Sequence, residues 1–109
     1  MQSAAGAGHK IFQALADPSR RAIFESLTRG EVAVKELTAR FDISQPAVSQ
    51  HLAALKDAGL VHGRREGRQV YYRVEPRGMK PLIDWITHYR AFWTEHVGRL
   101  EHLLEKMDE

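Results

Sequence analysis

A chain of 109 residues without cysteine has room for one compact domain and excludes a disulfide framework, a thiolate nucleophile, thiol redox sensing and any cysteine-ligated metal. The net charge is only +2, which permits a polyanionic partner without demanding one. Its distribution is more telling. Arg64, Arg65, Arg68 and Arg73 cluster with Glu66 as the only acid among them, whereas Asp84, Glu95, Glu101, Glu105, Asp108 and Glu109 face Lys80, Arg90, Arg99 and Lys106 after Met79.

Residues 1–8 are small and polar and lack the apolar stretch of a signal peptide. They are expected to form a flexible tail ahead of a single domain over 9–109. No apolar run approaches the roughly 20 residues that span a bilayer, so no membrane partner and a cytoplasmic location are expected. From His9 to Ala16, Ile11, Phe12 and Leu15 follow a helical spacing. Asp17-Pro18 reads as an N-cap followed by proline at the first helical position. The helix it starts runs to about Thr28, with Ala22, Ile23 and Leu27 on one face, and ends at Arg29-Gly30.

A third short helix is expected over Val34 to Phe41, then a tight connection at Asp42-Ile43-Ser44. Ser44 caps the next helix, expected over 44–58, which turns Val48, Leu52 and Leu55 inward and stops at Ala58-Gly59. From Leu60 the period changes. Two runs rich in strand-forming residues flank Glu66-Gly67-Arg68, which predicts a β-hairpin over 60–75. Pro76 and Gly78 close it, and one long helix follows over 79–107.

A short helix, a tight turn and a second helix with a polar first turn make a helix-turn-helix unit. Leu37 and Phe41 lock the pair against Val48 and Leu52. Ser44, Gln45, Ser49, Gln50 and His51 supply the short hydrogen-bonding groups that a major groove about 12 Å wide admits. Gln pairs with adenine N6 and N7, and Ser donates or accepts. Taken alone, these are also what a solvated helix face looks like. The hairpin that follows shifts the balance, because Arg64, Arg65 and Arg68 bracket its tip, placed for the backbone or an adjacent minor groove. The expected architecture is α+β, mostly α: a winged helix-turn-helix of about five helices and one β-hairpin wing.

The ordered combination of Ala14-Leu15-Ala16-Asp17-Pro18-Ser19-Arg20-Arg21, Glu36-Leu37, Ile43-Ser44-Gln45-Pro46-Ala47-Val48-Ser49-Gln50-His51-Leu52, Gly59-Leu60-Val61 and Arg64-Arg65-Glu66-Gly67-Arg68 with Tyr71-Tyr72 resembles the ArsR/SmtB family of winged helix-turn-helix repressors. The resemblance implies a homodimer that binds a two-fold-related, double-stranded operator and blocks transcription. It also implies that the base- and phosphate-contacting positions are Ser44, Gln45, Ser49, Gln50 and His51, with wing contacts at Arg64 and Arg68.

Members of that family that sense soft metals carry cysteines in the segment that here reads Glu31-Val32-Ala33-Val34-Lys35-Glu36-Leu37. A second family site, on the last helix, pairs Asp-x-His with His-x-x-His or His-x-x-Glu. Asp84 and His88 are four apart, and Arg99 stands three after His96. No metal ligand or cofactor is therefore expected. A different arrangement of His88, His96 and His102 is the alternative, giving a metal-responsive repressor.

On the last helix Leu82, Ile86, Tyr89, Trp93, Val97, Leu100, Leu104 and Met107 recur at steps of three and four. So long an apolar stripe on one thin domain suggests a role shared between its own core and a dimer interface, with Ile86, Tyr89, Trp93, Val97, Leu100 and Leu104 at the contact. No phosphate loop and no nucleophile with a paired base is present, so an enzyme is not expected. A protein-docking winged helix is the remaining alternative, and the polar, basic reading face argues against it. Nothing in the sequence identifies an effector, which leaves a small molecule, a protein or none.

Overall fold

Two helices, over 18–27 and 45–57, start where a short polar side chain comes just ahead of proline. Asp17 lies in extended backbone and its Oδ1 accepts the Arg20 N–H at 2.9 Å. Ser44 is likewise extended and its Oγ accepts the Ala47 N–H at 3.2 Å. Each satisfies one donor that the first helical turn leaves unpaired. The structure, a computed structural model, describes residues 4–108 apart from the side chains of residues 4–7 and Trp93. Its elements are α1 (Ala4–Ala16), α2 (Pro18–Leu27), β1 (Val32–Ala33), α3 (Val34–Phe41), α4 (Gln45–Asp57), β2 (Val61–Glu66) and β3 (Gln69–Val74). A 3-10 turn at Pro76–Met79 then leads into α5 (Lys80–Met107).

The core is one cluster built from α1, α2, β1, α3, α4 and the start of the hairpin. Ile11 and Ala14 come from α1, Ile23, Phe24 and Leu27 from α2, and Val32 from β1. Leu37 comes from α3, Val48, Leu52 and Leu55 from α4, and Leu60 and Val61 from the start of the hairpin. Phe41 sits half-buried at its edge, so the expected lock between α3 and α4 forms with Leu37 as its inner residue. No polar or charged residue is buried among the described residues.

α4 ends in two crossed hydrogen bonds, Gly59 N–H to Lys56 O and Leu60 N–H to Leu55 O, both 2.9 Å. This closure satisfies two terminal carbonyls and puts the apolar pair Leu55 and Leu60 together. The chain then enters β2 at a fixed angle. The α3–α4 turn needs a left-handed residue, and Asp42 supplies it at φ 50. Short Asp tolerates that region better than most residues. Ser44→Ala should cost about 1 kcal/mol of stability by removing the cap of α4. Urea denaturation monitored by helicity would show the midpoint fall without a change in slope.

The structure departs from the sequence expectations in five places. α1 starts at Ala4, so the expected tail over 1–8 gives way to helix from residue 4: alanines are strong helix formers, and Gly8 is buried. Phe24 joins the core face of α2, while Ala22 is only half-buried. A third strand, β1, pairs antiparallel with β3 through Val32–Tyr72 and Ala33–Tyr71, giving the order β1-β3-β2. Two residues between a helix and a glycine are too short to show strand periodicity.

The hairpin loop holds two residues, because Glu66 pairs with Gln69. Gly67 at φ +61 occupies its first position, which suits the twist of the flanking strands. Lastly, α5 shares much less in the core than expected. Leu82, with Met79 ahead of it, packs against the cluster, and ten large apolar side chains from Ile83 to Met107 are exposed.

Candidate nucleic-acid interface

Residues four apart on a helix share a face. Gln45, Ser49 and, one step further, Leu52 therefore line one side of a groove of about 390 Å³ between α4 and the hairpin. Val34 and Lys35 at the start of α3 close one end, and Arg68, Gln69, Val70 and Tyr72 form the opposite wall. The lining holds two cations and no carboxylate. Ser44 stands at its rim, exposed, with its hydroxyl engaged in the cap. Gln50 is exposed on the neighbouring face of α4. The open N-terminal end of α4 adds the partial positive charge that favours phosphate.

The sheet register sorts the arginines. Val61 opposite Val74 and Gly63 opposite Tyr72 face the core, and Tyr72 and Val74 pack against it. Arg65 opposite Val70 continues that face past the end of the core, toward the groove, and is exposed. Arg64 opposite Tyr71 lies on the outer face. Arg68 sits in the hairpin loop, exposed and at the groove wall.

Arg64 is not a free cation. Its Nε donates to both carboxylate oxygens of Glu31 at 3.1 and 2.9 Å, its Nη2 donates to Glu31 Oε1 at 2.6 Å, and its Nη1 donates to Glu66 Oε2 at 3.0 Å. Its guanidinium also lies over the Tyr71 ring, 4.8 Å from the centroid. These bonds hold the Glu31 carboxyl below its usual pKa and raise that of Arg64. A lowered carboxylate contributes stability above the ordinary carboxylate range and loses it as pH falls through the lowered value. The pair therefore stays ionised throughout neutral pH.

His51 also departs from its expected place. It is half-buried, its Nδ1 is enclosed with no hydrogen-bond partner, and its charge helps lower the Asp17 pKa, behind the Arg20 N–H bond. Part of its ring is thus committed to the junction with α2. Lys35 and Gln69 are groove residues that sequence reasoning did not assign. Lys35 stands in the segment where soft-metal sensors carry cysteines, and Gln69 reaches the wall only through the tight hairpin register.

A helix-turn-helix domain family matches residues 15–64. The HTH-type transcriptional regulator Rv2034 of Mycobacterium tuberculosis is 42% identical over 96 residues, covering 88% of this chain and 87% of that protein. The transcriptional repressor SdpR of Bacillus subtilis is 31% identical over 81 residues, covering 74% and 90%. The crystal structure of an ArsR family transcriptional regulator, RHA00566, superposes with a TM-score of 0.75 at 32% identity, covering 86% of this chain and 97% of that one. The chain belongs to the ArsR/SmtB family. It is accordingly a DNA-binding transcriptional regulator with a winged helix-turn-helix fold, and not an enzyme.

The metal candidates on α5 have other contacts within the single chain. Asp84 is paired with Lys80 at 2.7 Å, and His96 stacks on Phe92 at 4.0 Å with its Nδ1 3.0 Å from the Phe92 carbonyl. Among the described residues no group of three His, Asp or Glu side chains can hold a metal ion. None of their helices is long and apolar enough to cross a membrane.

The apolar stripe stands out from the body instead. Ile86, Tyr89, Val97, Leu100 and Leu104 are all exposed, and the Trp93 side chain lies outside the described residues. Phe12 of α1 joins the stripe edge-on to Trp85, at 5.5 Å, and Trp85 leans on Tyr89 at 5.0 Å.

Proposed function

We propose that this regulator is a cytoplasmic homodimeric repressor that reads a two-fold-related operator, with α4 as recognition helix, the β2–β3 hairpin as wing and α5 as dimerisation helix. The observation that carries this reading is the cationic, carboxylate-free groove between α4 and the wing. It is lined by side chains suited to base edges (Gln45, Ser49) beside others suited to phosphate (Lys35, Arg68). Two such grooves related by a two-fold axis meet successive major grooves about 34–36 Å apart. Phosphate contacts from Lys35, Arg65 and Arg68 then supply affinity, and Gln45, Ser49 and Gln50 supply sequence choice. Ser44 and the outer part of the His51 ring lie at the rim of that contact. Binding beside a promoter occludes polymerase.

Selection of bound DNA from a random pool, followed by gel shifts across a salt series, tests the proposal. Arg68→Ala should weaken binding to all sequences alike and reduce the slope of log affinity against log salt by about 0.9. Gln50→Ala should leave that slope alone and relax preference at one operator position, where a good pair is worth about 1–3 kcal/mol. An unchanged preferred sequence in Gln50→Ala removes Gln50 from base readout. Absence of any salt-dependent binding by the native chain removes the proposal.

A further inference from the structure

The sheet is three strands wide only beside Tyr71 and Tyr72, where the two residues of β1 pair with β3. Beyond that point, from Arg65 to Val70, the hairpin has just two strands. A two-stranded hairpin is marginal by itself in water. Its inner face runs past the core there, so core packing does not set the angle at which the tip meets α4. Something else must hold the tip in place if Arg68 and Gln69 are to keep their position at the groove wall.

The outer face carries the means. Arg64 starts on β2, passes over the Tyr71 ring on β3 and reaches Glu31, the residue before β1. One side chain thus crosses the sheet from one edge strand to the other. Its fork meets Glu31 through three hydrogen bonds and Glu66, at the base of the loop, through a fourth. The Glu31 side chain is 28% exposed and that of Arg64 46%, so the pair is partly screened from water by the sheet beneath it. A planar, bidentate, stacked guanidinium is an arrangement that lysine cannot reproduce.

We propose that Glu31 and Arg64 form a strap that positions the wing for DNA, so that Arg64 acts as a positioning residue and not as a phosphate contact. This rests on the reading of the hairpin as a DNA-binding wing. Glu31 becomes a determinant of DNA affinity although it is acidic and need not touch DNA. The strap also divides labour among the wing arginines: Arg64 shapes the hairpin, while Arg65 and Arg68 face the polyanion.

The proposal makes a prediction opposite in sign to simple electrostatics. Glu31→Gln removes a carboxylate from a basic surface and releases a guanidinium, which by charge alone tightens DNA binding and steepens its salt dependence. Loss of the strap instead weakens binding, by about fivefold, the scale of a well-formed ion pair. Affinities of the native chain, Glu31→Gln, Arg64→Ala, Arg64→Lys and the Glu31→Gln/Arg64→Ala double variant are measured across a salt series. Hydrogen exchange of the wing amides is followed in the same proteins without DNA.

All four variants are expected to bind several-fold more weakly than the native chain, with the salt slope preserved. The double variant should be no worse than the poorer single one. The amides of 65–70 should exchange several-fold faster, while those of α2 and α4 are unchanged. Tighter binding by Glu31→Gln overturns the proposal. So does native behaviour of Arg64→Lys, or a slope reduced by about 0.9 in Arg64→Ala, the mark of a lost phosphate contact. Should the native chain bind no DNA, the DNA-binding reading fails and the exchange rates alone judge the strap: unchanged wing amides in Glu31→Gln dismiss it.

Discussion

Leu100→Glu with Leu104→Glu is expected to convert the proposed dimer to a folded monomer and to weaken operator binding by about 10²–10⁴, the usual gain from linking two half-site contacts. Both leucines are more than half exposed on the protomer, at 55% and 52%. Glutamate at either place therefore meets water in the single chain and leaves the core untouched. In a dimer sealed through α5 the same carboxylates are forced into an apolar seam, where an unpaired charge is not tolerated. The positions are one helical turn apart, so both charges strike the same part of the contact.

Sedimentation would show the mass fall from twice 12.4 kDa to 12.4 kDa, with helicity retained. Gel shifts would show the operator bound weakly, one half-site at a time. A variant that still sediments as a dimer removes α5 from the interface. Covering the stripe also answers a stability problem. Ten exposed large apolar residues on one helix form a patch of the kind that marks an association surface.

Gly78→Ala is expected to destabilise the fold by about 3 kcal/mol, at the upper end for forcing an extra carbon into a packed site, and to lower the melting temperature by roughly 10–20 °C. A Cβ on Gly78 would lie 1.6 Å from the Gly59 carbonyl oxygen and 2.6 Å from its carbon. Both are backbone atoms and cannot rotate aside. Gly59 is held in turn by the crossed hydrogen bonds that end α4, and Glu75 N–H donates to Leu60 O at 2.9 Å beside it. The 3-10 turn before α5 is thereby pressed directly against the end of α4. This contact sets the angle between α4 and the start of α5, the proposed recognition and dimerisation helices. The variant should therefore lose operator affinity even at temperatures where it stays folded, because its two reading heads are no longer correctly spaced. Thermal melting and DNA binding at 10 °C separate the two effects. An unchanged melting temperature would show that the turn yields freely at Gly78.

Much of this architecture was legible from local signals. Asp17-Pro18 and Ser44 mark helix starts because a cap needs only its own next three residues. The α4 stripe Val48, Leu52 and Leu55 and the Gly67 hairpin are equally local. The stop at Ala58-Gly59 is as well. The candidate residues followed from the same logic: a capped helix with a polar first turn and an arginine-rich hairpin singled out Gln45, Ser49 and Arg68, which the structure brings to one groove.

What the sequence could not decide were relations across distance. Four arginines within ten residues look alike on paper. Register separates them, since a one-residue step along a strand moves a side chain to the other face. Arg64 thereby meets Glu31, 33 positions away, and is spent on shaping the wing, while Arg68 is left at the groove. His51 reads as one more polar residue of the helix face, yet its place beside Asp17 depends on how α2 crosses α4. The length and apolar character of α5 are local and were plain. Its exposure along almost its whole length emerged only once the other elements had closed a core without it. Periodicity reveals that a helix has an apolar face; only the packed structure shows whether the molecule itself covers that face.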